Sequence, residues 1–206
     1  MPRSDSRSTW VDLLRHGAPE GGQRYRGHLD DPLSSTGWEQ MRAAVAREAG
    51  WEAIVTSPLQ RCHAFAEALA LERDIPLHVE PAFKEISFGE WEGMKTEEIL
   101  ARDGDRLAAF WSDGDRYPPP GGESLSAFHQ RVEAGWHHWR EAIRGQHVLV
   151  VGHGGVIRMI VACVLEVPPT RLMAGLNVPY ACRSRIRMDH TEHGLLSCLI
   201  AHGAQG

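Results

Sequence analysis

The chain has 206 residues, 42% of them hydrophobic and 24% charged, with a formal net charge of −5, the composition of an ordinary globular protein long enough to bury a full core. That balance supplies no basic field for nucleic acid or an anionic membrane surface, so any anion site must be local, and the most apolar window, residues 156–167, is broken by Arg158 and too short to span a bilayer. The four cysteines form no Cys-x-x-Cys pair and read as reduced packing residues of a cytoplasmic protein.

Residues 1–9 read as a polar tail without the apolar stretch of a signal peptide, leaving 10–206 as one domain. Val11, Leu13 and Leu14 have the apolar density of a buried strand, ending in Arg15, His16 and Gly17. A glycine-rich loop over 18–31 carries Arg24, Arg26, Gly27 and His28. Thr36-x-x-Glu39 has the capping-box pattern for a helix ended by Gly50, residues 53–56 read as a strand, and Ser57-Pro58 as the cap and first position of the next helix. Arg61 falls in its first turn, where free backbone N–H groups and the macrodipole already favour an anion. A short strand over 77–79 leads to a loop, 83–93, that mixes aromatics with Glu85, Glu90 and Glu92; one of these is expected to be functional and two solvated.

One or two short helices are expected over 96–111, then a stiff turn at Tyr117 to Gly122. Ser124 caps a long helix to about Arg144 whose buried face is Leu125, Phe128, Val132 and Trp136. His137 and His138 are adjacent and point in different directions, and no Cys/His spacing resembles a zinc site. Residues 148–151 form a second strand ending at a histidine, His153, with Gly154-Gly155 opening a helix stopped by Pro168-Pro169. Two strands close the chain over 183–188 and 195–201.

Two histidines at strand ends, two arginines and a loop glutamate suit phosphoryl transfer. Arginine forks and a helix N-terminus neutralise a phosphoryl group, a neutral imidazole can hold phosphorus covalently, and a carboxylic acid can protonate the departing oxygen. Neither metal nor cofactor is called for.

These residues resemble the histidine phosphatase superfamily, which includes the cofactor-dependent phosphoglycerate mutases. The resemblance rests on Leu14-Arg15-His16-Gly17, on Gly27 with Asp30, Pro32, Leu33 and Gly37, on Ser57 to Cys62, on Glu85 to Gly93 and on Gly152 to Arg158. It implies an α/β fold, a three-layer α/β/α sandwich around a mostly parallel sheet, as in the mutases. It implies His16 as nucleophile, Glu85 as general acid and then base, and Arg15, Arg61 and His153 as phosphate ligands. The loop lacks the asparagine that many members place after the nucleophile, for which Gly21, Gly22 or a backbone amide would substitute, and Gly152 stands where Ser, Thr or Ala is usual, which would loosen the setting of His153.

The segment between Gly93 and Ser124 is brief and acidic, which favours a phosphatase over a mutase. The loop after Gly17 and the Gly37-Trp38 helix start look most like the α-ribazole phosphatase branch of cobalamin synthesis, which makes α-ribazole 5'-phosphate the expected substrate and a broad-specificity phosphomonoesterase the alternative. The expected partner is thus a small phosphate monoester, with Arg26, Gly27, His28 and Trp91 as candidates for its leaving-group wall. Aromatics such as Trp111 fit either a homodimer contact or a substrate lid. Two other classes remain for comparison, a metal-dependent hydrolase drawing on the twelve histidines and a catalytically silent binding module; the second is disfavoured by the presence of all five site residues.

Overall fold

The computed structural model describes residues 7–204. Positions 1–6 of the expected polar tail lie outside the described residues, and its last position, Thr9, already belongs to the first strand.

Six strands form one sheet: β1 (Thr9–Arg15), β2 (Ala53–Thr56), β3 (Leu77–Val79), β4 (His147–Gly152), β5 (Arg183–Thr191) and β6 (Gly194–Ala204), in the order β3-β2-β4-β1-β5-β6. The first four are mutually parallel, and the β5–β6 hairpin is added antiparallel to β1. The helices are α1 (Ser35–Val45), α2 (Gln60–Arg73), α3 (Thr96–Ser112), α4 (Leu125–Ala142), α5 (Gly154–Leu165) and α6 (Pro169–Gly175). Side chains alternate across a strand, so β1 and β4 feed two cores. Val11, Leu13, Val148 and Val150 pack with Phe128, Val132 and Trp136 of α4 and with Val156 and Ile160 of α5. Leu14, Leu149 and Val151 pack on the other face with Met41 of α1 and Phe65 and Leu69 of α2. The result is the expected three-layer α/β/α sandwich.

Local signals and tertiary contacts disagree at three places. Helix α1 is capped by Ser34, whose Oγ accepts from Gly37 N at 3.1 Å, and it ends at Val45, so Thr36 and Glu39 lie inside it. Ser34 wins because its hydroxyl also donates to Ala18 O at 2.8 Å, which fixes the chain two residues earlier. Helix α2 begins at Gln60 and not at Pro58. Its first free N–H, Gln60 N, is satisfied from outside the segment by Asp30 Oδ1 at 2.6 Å. Helix α3 is broken at Asp103 (φ −137°), in keeping with the one or two short helices expected there, and the Pro168-Pro169 stop is itself the start of α6, with Pro169 in the first turn where its missing N–H is tolerated. Cys62 and Cys182 are buried, whereas Cys198 is exposed on the edge strand β6.

At the midpoint of β1 a carboxylate is fully buried. Asp12 accepts from Arg185 Nε and Nη2 at 2.7 and 2.8 Å, from Trp51 Nε1 at 2.9 Å, and lies 3.0 Å from His147 Nε2. Burial alone would raise its pKa, but hydrogen bonds from Arg185, His147 and Trp51 outweigh it and hold the group far below the usual carboxylate range. Asp12→Ala leaves Trp51 Nε1, His147 and Arg185 Nε without their shared buried acceptor, while Arg185 keeps Glu48 at 2.8 Å, and is expected to destabilise the protein by about 1–3 kcal/mol. Removing the exposed Arg7–Glu52 pair (3.0 Å) with Arg7→Ala should change stability by about 0.5 kcal/mol or less. Urea denaturation of the two variants measures both.

Candidate active site

The parallel pairing of β1 with β4 sets Arg15 opposite Gly152, so the residues that follow, His16 and His153, leave neighbouring strands at the same sheet end. His16 N donates to Gly152 O at 2.9 Å, and the two imidazole centroids are 5.2 Å apart. His16 Nδ1 lies 2.7 Å from Gly17 O. A carbonyl only accepts, so Nδ1 carries the proton and Nε2 keeps its lone pair. A side chain at Gly17 would stand 2.1 Å from Gly37 O, which is why α1 can seat directly on this strand end. His153 is fully buried, with Nε2 2.8 Å from Ser57 Oγ and 3.5 Å from Cys62 Sγ. Gly152 does not loosen it. Its carbonyl is held by His16 N and by Cys62 Sγ at 3.4 Å, and its position is fixed by the sheet register.

Two guanidinium groups converge here. Arg61 is fully buried in the first turn of α2, donating from Nη1 to Leu29 O at 2.8 Å and from Nη2 to Gly27 O at 2.7 Å. Arg15 donates from Nη1 to Val178 O at 2.6 Å, and its Cζ lies 4.3 Å from the centre of the Tyr180 ring. The Nε groups of both are buried with no hydrogen-bond partner among the described residues. Buried cations with unsatisfied donors form a ready anion site. Burial, followed by the charges of Arg61 and Arg15, pushes the His16 pKa well below that of a free imidazole. Burial and Arg61, with further contributions from His16 and Arg15, do the same to His153.

Glu85 reaches this centre over the N-terminus of α5, where its Oε2 accepts from Gly155 N at 2.9 Å and its Oε1 from Ile86 N at 3.1 Å. A Cβ at position 155 would fall 2.2 Å from Glu85 Oε1, so the second glycine of Gly154-Gly155 makes room for the carboxylate. Arg131 holds the loop beneath it, donating to the carbonyls of Ala82, Lys84 and Glu85 at 2.8–2.9 Å while paired with Glu123. Of the other two loop carboxylates, Glu90 is exposed and 3.6 Å from Arg102, whereas Glu92 accepts from four backbone N–H groups, those of Gly27, His28, Leu29 and Phe88. The expectation of two solvated carboxylates therefore holds for Glu90 alone. Glu92 ties two loops together.

His16, His153, Arg15, Arg61 and Glu85 thus meet at one sheet end, but the expected leaving-group wall does not form there. Trp91 is fully buried, its Nε1 donating to Asp103 at the α3 kink at 2.9 Å, because a buried indole N–H needs an acceptor. Arg26 is consumed inside its own loop by Asp31 (2.8 Å) and the carbonyls of Glu20 and Gly22. Gly27 serves through its carbonyl to Arg61, and His28 is exposed with its N–H on Glu92. Sequence reasoning missed Ser57 as the partner of His153, Asp30 as the outside cap of α2, Glu92 as a clamp and Tyr180 beside Arg15. Asp30, Ser57 and Glu92 each carry a signal, as members of the Gly27-to-Gly37, Ser57-to-Cys62 and Glu85-to-Gly93 blocks, whereas Tyr180 carries none. One group of potential metal ligands was also out of reach of spacing rules. His129 and Glu133 of α4 meet Cys163 of α5, with His129 Nδ1 3.9 Å from Glu133 Oε2 and Nε2 3.8 Å from Cys163 Sγ. It lies nine residues, about 13 Å, along α5 from the Gly154 end, and burial raises the Cys163 thiol to about 11.

The profile of the histidine phosphatase superfamily (branch 1) matches residues 11–199. The adenosylcobalamin/alpha-ribazole phosphatase of Salmonella typhimurium is 30% identical over 178 residues, 84% of this chain and 88% of that protein. A glucosyl-3-phosphoglycerate phosphatase of Mycolicibacterium vanbaalenii is 36% identical over 169 residues, 76% and 74% of the two chains. Among solved structures, the alpha-ribazole phosphatase of Shigella flexneri superposes with a TM-score of 0.84 at 25% identity, over 96% of this chain and 97% of that one.

The two depressed imidazoles make stability depend on pH. Unfolded, each regains a pKa near 6.5 and binds a proton that the folded protein refuses, so acid favours unfolding. Their contribution is complete above pH 6.5 and is lost below it, at up to about 1.4 kcal/mol per pH unit each. The urea midpoint is expected to fall from pH 7 to 5.5. His16→Asn, whose amide can keep the bond to Gly17 O, should fall about one proton's worth less steeply.

Proposed function

The chain belongs to the histidine phosphatase superfamily, branch 1, and from that membership we propose that it is a metal-independent phosphomonoesterase that works through a phosphohistidine on His16, with α-ribazole 5'-phosphate as substrate. The observation that carries the mechanism is the state of His16, a buried neutral imidazole with Nδ1 tied to Gly17 O and Nε2 unprotonated, beside two arginines with unpartnered Nε groups.

In the first step the Nε2 lone pair of His16 bonds to phosphorus as the ester P–O bond breaks, and the departing alkoxide takes a proton from the Glu85 carboxylic acid. In the second, Glu85 as carboxylate takes a proton from water, whose oxygen attacks phosphorus while the P–N bond breaks, releasing phosphate and neutral His16. Arg15, Arg61 and His153 bind the three phosphoryl oxygens throughout. The charge of the two guanidinium groups is already in place, so little reorganisation accompanies the transition state. The low pKa of His16 keeps the nucleophile unprotonated in mildly acidic solution. The ribazole assignment draws on the S. typhimurium and S. flexneri relatives and on the likeness of the 18–41 segment to that branch. Relatives named for glucosyl-3-phosphoglycerate make that ester the second reading.

His16→Ala is expected to abolish hydrolysis of p-nitrophenyl phosphate with circular dichroism unchanged, and a chelator should leave the wild-type rate unaltered. Retained turnover in the variant, or loss on chelation, counts against the mechanism. Glu85→Gln should lower kcat by about 10²–10⁴ on an alkyl phosphate and far less on p-nitrophenyl phosphate, whose phenolate departs without a proton. The substrate assignment is decided by kcat/KM for α-ribazole 5'-phosphate, glucosyl-3-phosphoglycerate and 3-phosphoglycerate side by side, with the first expected to lead.

A further inference from the structure

Beside Arg15 lies a cleft of about 360 Å³ lined by Ala18, Pro19, Gly22, Gln23, Pro179 and Tyr180 as well as Arg15 itself. We propose that this cleft is the leaving-group subsite, that it takes a flat, uncharged aromatic or heteroaromatic group, and that Tyr180 is the residue that selects it. The proposal rests on the phosphomonoesterase reading for its reaction, while its geometry stands independently.

The cleft adjoins the anion site through Arg15, which lines both, so it stands beside any group esterified to a phosphate held there. Its walls are two prolines, an alanine and an aromatic ring, and Gln23 supplies the polar contact among them. Arg15, already committed to the anion site, is its only charged lining residue. A substrate carboxylate would find no further cation, whereas a planar apolar group finds four flat or compact apolar surfaces.

Both walls are rigid. On one side the Pro179–Cys182 turn, closed by Cys182 N donating to Pro179 O at 3.1 Å, holds Ala181 at φ +55°, a conformation that glycine normally supplies. A strained non-glycine at a site edge persists only where its surroundings fix it. Here Arg15 N donates to Cys182 O at 3.0 Å, Ala181 N to His16 O at 3.2 Å and Arg15 Nη1 to Val178 O at 2.6 Å. Tyr180 is thereby held half-buried with its ring 4.3 Å from Arg15 Cζ and its centroid 5.7 Å from that of His16. On the other side Pro19 bridges to Leu33, Glu20 N donates to Pro32 O at 2.9 Å and Ala18 N to Gln40 Oε1 at 2.9 Å. A preformed slot of this kind binds a rigid ring with little ordering cost.

The test compares benzyl phosphate with ethyl phosphate, two alkyl esters of similar leaving-group basicity that differ in the ring. Wild type should favour the benzyl ester by about tenfold in kcat/KM, the size of one aromatic contact. Tyr180→Ala should remove most of that preference while changing ethyl phosphate and inhibition by inorganic phosphate far less, and Tyr180→Phe should retain it. Ala18→Leu, which fills the cleft from the opposite wall and leaves Tyr180 intact, should also remove it. Calorimetric binding of benzylphosphonate against methylphosphonate reads the same preference without chemistry, so a protein that hydrolyses neither ester defeats the phosphatase reading and still tests the cleft. Equal losses on both esters in Tyr180→Ala, or a benzyl preference untouched by both cleft variants, would overturn the proposal.

Discussion

The hydrogen bond from His16 N to Gly152 O is where the sheet becomes a site. It continues the β1–β4 pairing one residue past Arg15, and a parallel ladder makes both chains emerge at the same end. Two residues 137 positions apart in the chain are brought ring to ring at 5.2 Å by backbone pairing alone. Helix α2 then brings Arg61 from the neighbouring β2, and α5, which follows His153, offers the N–H of Gly155 in its first turn to Glu85. His16, His153, Arg15 and Arg61 are thus supplied by the ends of the buried central strands and the start of a helix, which fixes them more firmly than a loop could, and Glu85, which does come from a loop, is held there by Arg131.

The electrostatic design is asymmetric. Two guanidinium groups are buried beside two imidazoles, and carboxylate is scarce nearby. Burial lowers the pKa of both arginines, with Glu85 among the charges opposing that shift, but the reference value is so high that they stay cationic. The imidazoles give up their protons instead. A phosphoryl dianion entering this field meets unpaired cations and a free lone pair together. Cys62, wedged against His153, is kept a thiol by burial despite its cationic neighbour Arg61. It acts there as packing and not as a second nucleophile.

Much of this was legible in the residues themselves. The runs at 11–14 and 148–151, the Ser124 cap and the Leu125, Phe128, Val132, Trp136 face of α4 follow from period and cap chemistry, and the structure bears them out. The five residues at the sheet end follow from residue type at strand and helix termini together with the family resemblance. What could not be read were partnerships between distant segments. Trp91 in a glycine-rich loop looks available to a ligand until Asp103 and Phe110 cover it. Glu92 looks solvated until three backbone N–H groups from the 27–29 loop turn toward it. Tyr180 sits in a stretch with neither helical nor strand period, and only the turn at Ala181 gives it a direction.

The loop that separates Gly17 from α1 is closed at its base like a drawstring. Ala18 O receives both the N–H and the hydroxyl of Ser34, Pro19 pairs with Leu33, and Gly17 and Gly37 touch backbone to backbone. Between these points, Gly21 to Arg24 are bonded to the loop itself, whereas Tyr25 to Asp30 are tied to Met94, Glu92 and the start of α2. Changes in its length or content therefore need not move the nucleophile, because the entropy of a longer loop grows only slowly and the two ends are already joined. For protein engineering this makes residues 21–24 an exchangeable cassette, while residues 25–30, which hold Arg61, Glu92 and the start of α2, are kept. Grafting loops from relatives into this position is a route to new substrates in which the chemistry on phosphorus stays constant.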